Sequence, residues 1–288
     1  RILIAPLELL SSKIGEVLQD GDSNKQWLLW LGLKLYGAKG DAYLQRVLKQ
    51  SEKVDDFEEH LTMMLLEIPR DDDEFAAMYA CRKRILAALP ENLPLISQYC
   101  QRTGKYQKDA VYYLTDSTED EEHEFLRCLS SYDYSETELL QITKFSFPQV
   151  YKYLVPFSFS QANMPLPASD TTLRTEITKY FQDYKQQKLT NQIWPDFMKQ
   201  VVRYAEERPY NKLPARSTLA ARMDRKGAQL FFFDALGVEY LSYILAKCEE
   251  YGLIAEILVG VCQLPSITCE NKAVSYTHLR AHETAANL

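Results

Sequence analysis

The apolar stretch at residues 229–237, QLFFFDALG, constrains the fold of this chain more than any other part of its sequence. Its apolar run ends in Asp234, and Gly237 separates it from an amphipathic segment at residues 238–251. A short apolar run that ends at a glycine before a helical pattern predicts a buried strand that leads into a helix. Because α/β enzymes place catalytic side chains at such strand-to-helix turns, Asp234 is a candidate functional residue.

A second apolar run, LIAEILVGV at residues 253–261, follows the predicted helix after Gly252. It predicts a second strand, and therefore a strand-helix-strand unit with a right-handed crossover. Parallel neighbouring strands end at the same edge of a sheet. We therefore expect the loop at residues 264–272 to lie beside Asp234.

Helical periodicity and helix start signals predict a mainly helical region over residues 1–157. Asp41 is a predicted N-cap, and residues 135–138 form a predicted capping box. The acidic runs at residues 71–74 and 117–122 precede apolar helical patterns, where negative charge stabilises a helix N-terminus. A divalent-metal site at residues 71–74 is the alternative, since hard cations take several oxygen ligands at close range.

The rest of the chain divides at a segment rich in Pro, Ser and Asn. The predicted organisation is a helical N-terminal region at 1–157, a linker at 158–170, a helical connector at 171–226, the start of an α/β domain at 227–273 and a non-native tail at 274–288. The predicted fold class is accordingly α plus α/β, a mainly helical region followed by the first strand-helix-strand unit of a truncated α/β domain. Basic residues of the connector are expected to form a solvated face, with contact to a phosphate as the alternative; these are Arg216, Arg222, Arg225 and Lys226.

The two ends of the sequence predict a fragment. The chain begins with Arg1 rather than Met, and residues 274–284 match the translation of a transposase adapter used in preparing sequencing libraries. His278, His282 and Glu283 have the spacing of a metal-binding cluster, but a segment foreign to the natural protein has to be left out of functional reasoning.

Composition favours a cytoplasmic globular protein. The chain has 288 residues, a net charge of −7 and six cysteines. Its length suggests about two domains. The cysteines form no Cys-x-x-Cys pair and therefore predict free thiols in a reducing compartment. No apolar run approaches the length of a membrane helix, so no membrane is expected as a partner. The negative charge makes direct nucleic-acid binding an open question.

Three stretches of the sequence resemble the PglZ domain, the alkaline-phosphatase-like phosphatase or phosphodiesterase component of BREX phage-defence systems. They are LPARST at 213–218, QLFFFDALG at 229–237 and LPSITCENK at 264–272. The resemblance covers mainly residues 213–272, and it implies that the predicted α/β unit is the start of an alkaline-phosphatase-like domain.

The resemblance also implies functional residues. Asp234 matches a metal ligand of the alkaline phosphatase superfamily. The loop sequence PSITCEN is similar to the Pro-Thr-x-Thr-x-x-Asn nucleophile loop of nucleotide pyrophosphatase/phosphodiesterases. By that similarity Thr268 is the nucleophile and a metal ligand, and Asn271 donates to a phosphoryl oxygen. The chain departs from the pattern at Ser266 and Glu270, where that branch has Thr and Pro.

The implied cofactor is a pair of divalent metal ions, with zinc expected. Such a pair lowers the pKa of an attacking hydroxyl and holds the oxygens of a phosphate ester substrate. The implied partners are other defence-system subunits, including a DNA methyltransferase. The superfamily's remaining Asp and His ligands lie further along the chain, so we expect this polypeptide to be inactive by itself.

Alternatives remain open from the sequence. Asp234 can cap the following helix, and Thr268 can be an ordinary loop hydroxyl. In that case the chain is a non-catalytic helical scaffold or adaptor of a defence complex. A third alternative is another alkaline-phosphatase-type enzyme that acts on nucleotides or phosphosugars.

Overall fold

The chain divides into two compact units, which we call unit 1 (Arg1–Pro148) and unit 2 (Gln149–Leu288). The computed structural model describes residues 13–36, 38, 41–89, 94–157, 171–222, 226, 227, 229, 231, 233 and 236–262.

Unit 1 is built from α-helices joined by short turns. Its described α-helices are α1 (Ile14–Asp20), α2 (Ser23–Tyr36), α3 (Ala42–Gln50), α4 (Val54–Met63), α5 (Phe75–Leu86), α6 (Pro94–Thr103), α7 (Glu119–Ser131) and α8 (Glu136–Ser146). Two 3-10 segments, Met64–Glu67 and Gly104–Tyr112, continue α4 and α6. The prediction of a mainly helical region is confirmed by these elements.

The predicted start signals of two helices form the expected hydrogen bonds. The backbone N–H of Leu44 donates to the Asp41 carboxylate over 2.9 Å, which caps α3. The N–H of Glu138 donates to the Ser135 hydroxyl over 3.2 Å, and the N–H of Ser135 donates to the Glu138 carboxylate over 2.8 Å. These bonds satisfy backbone donors that have no partner inside the helix, so local sequence alone determines where α3 and α8 begin.

The core of unit 1 is closely packed. Phe125 stacks on Phe147 with ring centroids 3.8 Å apart. A Cβ atom added at Gly15 of α1 would lie 1.7 Å from the carbonyl oxygen of Ala88, so this approach requires glycine. The fully buried aliphatic side chains of this core include Leu29, Leu33, Leu44, Leu61, Met64 and Leu129.

Unit 2 is also helical in its described residues. Its α-helices are α9 (Pro148–Leu154), which starts at the boundary, α10 (Thr171–Thr190), α11 (Pro195–Glu207), α12 (Arg216–Arg222) and α13 (Leu241–Glu250). Pro195 occupies the first turn of α11, where its fixed φ suits a helix start. The buried core contains Phe157, Leu173, Ile177 and Val259. None of the helices that the structure describes is long and apolar enough to cross a membrane.

A buried lysine joins three helices of unit 2. Lys185 of α10 is 2% exposed, and its ammonium donates to the carbonyl oxygens of Tyr153 and Val155 over 3.0 and 2.9 Å. The Ser242 hydroxyl of α13 donates to the same Val155 oxygen over 2.6 Å. Because the last carbonyls of a helix lack partners within it, Lys185 and Ser242 satisfy the C-terminal end of α9 from outside.

The prediction of a strand-helix-strand unit, and with it the α/β part of the fold class, is wrong. No strand or sheet occurs in the described ranges, and these parts of the chain are helical or irregular. The predicted helix between the two apolar runs is present as a 3-10 turn followed by α13. In the first run Phe231 and Phe233 are 74% and 72% exposed, and in the second run Ile254 is fully exposed.

The strand prediction fails because an apolar run predicts a buried segment but does not specify whether a sheet or a helix covers that segment. A strand needs backbone partners along its length. Between residues 253 and 262 only isolated bridge positions occur, at Leu258 and Val261, and Val261 forms a parallel bridge with Ala215. Val259 is buried against Leu173 and Ile177 of α10, so a helix covers it where a sheet was expected.

Candidate functional site

The residues implied by the PglZ resemblance lie outside the part of the chain that the structure describes. This holds for Asp234, Thr268 and Asn271. The predicted sheet edge was expected to place Asp234 beside Thr268. The described residues near them in the chain form no such edge. The hydrolase site therefore remains a prediction from sequence.

The acidic runs of unit 1 occur at helix starts. Asp72 accepts a hydrogen bond from the N–H of Glu74 over 2.8 Å, just before α5 begins. Thr118 caps α7 by accepting from the N–H of Glu121 over 3.3 Å. No group of three or more His, Cys, Asp or Glu side chains able to hold a metal ion occurs among the described residues.

A buried ion pair lies at the centre of unit 1. Arg82 of α5 donates to the Glu121 carboxylate over 2.6 Å and to the carbonyl oxygen of Thr62 over 3.1 Å. Glu121 also accepts from the N–H of Thr115 over 2.9 Å, and the Arg82 guanidinium lies 3.6 Å from the ring centroid of Tyr99. Burial disfavours the charged guanidinium, but the carboxylate outweighs it and the pKa of Arg82 is raised. Because this network is closed to solvent, it serves the fold rather than a ligand.

One candidate site is an apolar cavity of about 400 Å³ in unit 2, open at the surface. It lies between α10, α11, the 3-10 turn Pro209–Lys212 and the extended segment at residues 259–262. We call it the α10–α11 groove. Its lining residues are Ile177, Tyr180, Phe181, Val201, Tyr204, Ala205, Pro209, Tyr210, Leu213, Val238, Val259, Gly260, Val261 and Cys262. Its volume falls in the range of about 300–1,000 Å³ that is typical of ligand-binding clefts.

Aromatic rings hold one side of the groove in place. Tyr180 stacks on Tyr204 with centroids 5.3 Å apart and contacts Phe197 at 5.0 Å. The Tyr204 hydroxyl donates to the Glu176 carboxylate over 3.1 Å. Burial raises the pKa of Tyr204 and of Tyr180, so both hydroxyls stay protonated at neutral pH. This side of the groove is therefore uncharged and held by ring contacts.

The opposite side is pinned by backbone hydrogen bonds. The N–H of Val261 donates to the carbonyl oxygen of Pro214, and the N–H of Arg216 donates to the carbonyl oxygen of Val261, each over 2.9 Å. A Cβ atom added at Gly260 would lie 2.6 Å from the Pro214 oxygen and 2.8 Å from Leu219. Only glycine allows this close approach, which keeps the extended segment against the turn.

Sequence reasoning missed the groove, although it predicted the helices that form it. Tyr180, Val201 and Tyr204 lie on apolar faces of α10 and α11, within the helical connector predicted at residues 171–226. An apolar face is more often buried in a core than open to a ligand, so the pattern gives no sign of a cavity. The one usable signal is that Val202 extends the apolar face of α11 beyond its buried side and is 52% exposed.

Comparisons with known proteins identify part of unit 1. Residues 5–132 match a family described as a domain of unknown function, DUF7863. No curated protein and no solved structure matches the chain. The matched residues belong to unit 1, whereas the α10–α11 groove belongs to unit 2.

Proposed function

We propose that this chain is a helical scaffold that docks a partner protein in the α10–α11 groove. The observation that supports the proposal best is the groove itself, an apolar cavity of about 400 Å³ that is open to the surface. Concave, mostly apolar clefts are the usual sites at which proteins bind ligands and peptide segments.

Exposed apolar residues continue from the groove along the chain segment that forms one of its sides. Leu253 is 62% exposed, Ile254 is fully exposed and Leu258 is 37% exposed. Burying these exposed apolar side chains under a partner surface would remove them from water and stabilise the complex. A docked protein would cover the groove and this segment together.

The partner follows from the resemblance to PglZ proteins. We propose that the chain belongs to a phage-defence complex of the BREX type, in the cytoplasm, and that a DNA methyltransferase or another defence subunit is the docked protein. The cysteines of the described residues are free thiols, which agrees with a reducing compartment.

The proposal is tested by measuring whether the chain forms a complex of defined mass with defence subunits. The chain is co-expressed with the methyltransferase and the other subunits of a BREX system, and purified mixtures are separated by size-exclusion chromatography with light scattering. The proposal predicts a stoichiometric complex that contains this chain. Elution of the chain alone, at its own mass and with every subunit present, would contradict it.

A second candidate function is favoured by the sequence motif rather than by the groove. We propose that Asp234 and Thr268 belong to a metal-dependent phosphatase or phosphodiesterase, with Asp234 as a ligand of a divalent ion such as zinc, Thr268 as nucleophile and ligand, and Asn271 as a donor to the phosphate ester. One carboxylate and one hydroxyl cannot hold two ions, so the chain alone is expected to be inactive.

An assay tests whether this polypeptide is inactive, as expected. The chain is incubated with a chromogenic phosphodiester and zinc or manganese, beside an Asp234→Ala variant. Absence of turnover is expected from both candidates for this polypeptide. Turnover that the variant loses would contradict the expected inactivity and would make the hydrolase the first candidate.

A further inference from the structure

A second cleft, of mixed polarity, lies in unit 1. It has a volume of about 330 Å³ and lies between the start of α5, the 3-10 segment Gly104–Tyr112 and α8. We call it the Arg70 cleft. Its volume is at the lower end of the range of about 300–1,000 Å³ that is typical of ligand-binding clefts, which suits a small metabolite. The side chains that line it include Arg70, Asp72, Asp73, Phe75, Tyr112 and Phe145.

The guanidinium of Arg70 is held in place and still has donors to offer. It lies 3.3 Å from the ring centroid of Tyr112, and its Nη1 donates to the Asp109 carboxylate over 2.9 Å. The Arg70 side chain is nevertheless 44% exposed. Because a guanidinium has five N–H donors and Asp109 engages one nitrogen, Arg70 keeps donors for an anionic group of a ligand.

An acidic side chain lines the same cleft without pairing with Arg70. The Asp73 side chain forms no hydrogen bond or ion pair within the described part of the chain. Asp72 accepts from the N–H of Glu74 over 2.8 Å through one of its two carboxylate oxygens. Asp109, the partner of Arg70, is not among the lining residues. The cleft therefore presents a positively charged donor and a negatively charged acceptor to one ligand.

Aromatic rings form the apolar part of the lining. Phe75 is 5% exposed and packs edge-on against Tyr113, with ring centroids 5.2 Å apart. Phe145 is 37% exposed, and its ring centroid lies 4.5 Å from that of Tyr79. Phe145 thus keeps an exposed ring surface in the cleft while another ring supports it. Such a surface accepts an apolar side chain.

We propose that the Arg70 cleft binds a free α-amino acid with a large apolar side chain. Its carboxylate pairs with Arg70, its ammonium pairs with Asp73, and its side chain packs on Phe145. A ligand with a single charge would satisfy one of the two charged groups and face the like charge of the other, whereas a zwitterion is attracted by both. The inference concerns unit 1 and does not depend on the proposed scaffold function.

Isothermal titration calorimetry on the full-length chain tests the ligand class. The probes are L-leucine, L-methionine, L-phenylalanine and L-tryptophan, together with phenethylamine, which lacks the carboxylate, and hydrocinnamate, which lacks the ammonium. We expect at least one of the amino acids to bind, and both analogues to bind about tenfold or more weakly than it does, because each loses one charge-assisted pair.

Two results of this titration would overturn the inference. The first is that none of the four amino acids gives a heat of binding. The second is that an analogue binds as tightly as the best amino acid, since the cleft would then select a simple cation or a simple anion.

Two aspartates of one turn test the role of the carboxylate. Asp73 lines the cleft, whereas Asp71, two residues earlier, does not. Asp73→Asn is expected to weaken binding of the amino acid about tenfold or more, because the ammonium loses its counter-charge. Asp71→Asn makes the same change in net charge and is expected to stay within about twofold. Equal weakening by both variants would overturn the role of Asp73.

Two neighbouring alanines of α5 test the location. Ala76 lines the cleft, whereas Ala77 does not, and both are exposed. Leucine suits a helix at either position, so both variants are expected to fold. Ala76→Leu fills part of the cleft and is expected to weaken binding about tenfold or more, whereas Ala77→Leu is expected to stay within about twofold. Unchanged binding by folded Ala76→Leu would overturn the location.

Discussion

Arg82 of α5 and Glu121 of α7 form an ion pair of 2.6 Å in which neither side chain is exposed to solvent. The pair links a helix interior to the first turn of another helix 39 residues away. Thr62, Thr115 and the ring of Tyr99 complete its surroundings. The core of unit 1 is therefore built around two opposite charges that stabilise it only together.

Removing one partner of this pair is expected to destabilise unit 1 severely. Arg82→Met leaves the Glu121 carboxylate buried without its counter-charge, which costs about 3–5 kcal/mol. Urea unfolding followed by circular dichroism measures the loss. Arg102→Met removes a half-exposed partner of Glu59 and is expected to cost less than about 1 kcal/mol. A similar cost for both variants would contradict the role given to burial.

The capping box of α8 predicts a dependence of stability on pH. The Lys108 ammonium, together with the backbone and hydroxyl of Ser135, lowers the pKa of Glu138 from 4.5 to about 2. Because the folded pKa lies below the unfolded one, this stabilisation is present above pH 4.5 and is lost as the pH falls towards 2. The thermal midpoint of the wild type is expected to exceed that of Glu138→Gln at about pH 6, with the difference shrinking as the pH falls from 4.5 to about 2.

If the difference in thermal midpoint between the wild type and Glu138→Gln stays constant from pH 4.5 to about 2, the charge of the Glu138 carboxylate does not contribute to stability. Glu136→Gln changes an acid on the same helix turn and outside the capping box. Its thermal midpoint serves as the control for a general change in charge.

Replacing Lys185 is expected to destabilise unit 2 more than replacing a lysine on its surface. Lys185→Met leaves the carbonyl oxygens of Tyr153 and Val155 without their charged donor, at a cost of about 1.5–3 kcal/mol. Hydrogen exchange of the α9 and α10 amides reports the loss within unit 2. Lys179→Met on the exposed side of α10 breaks only a surface pair with Asp183 and is expected to change protection little. Unchanged protection in Lys185→Met would refute the role of the ammonium.

Close helix packing in unit 1 predicts the effect of one added methyl group. Gly15→Ala places a Cβ atom 1.7 Å from the Ala88 oxygen and is expected to cost about 1–3 kcal/mol. Gly104→Ala meets nothing within 4 Å and is expected to change stability by less than about 1 kcal/mol. Denaturant midpoints of both variants test this, and equal midpoints would contradict the close approach of α1.

Local signals in the sequence predicted helix starts well and predicted the packing of apolar runs poorly. Asp41 and Ser135 act through hydrogen bonds within four residues, so their roles follow from sequence alone. The run containing Phe231 and Phe233 needs a distant partner to be buried, and no local pattern specifies that partner. The same limit applies to the groove, because its two sides come from α11 and from a segment about 60 residues later in the chain.

The most direct test of the central claim is the mass of the complex formed with defence subunits by wild type, Val201→Glu and Val202→Glu, measured by light scattering at equal concentrations. The scaffold account predicts that wild type and Val202→Glu give the mass of the complex and that folded Val201→Glu gives the mass of the free chain. A full-mass complex with Val201→Glu would contradict docking in the α10–α11 groove.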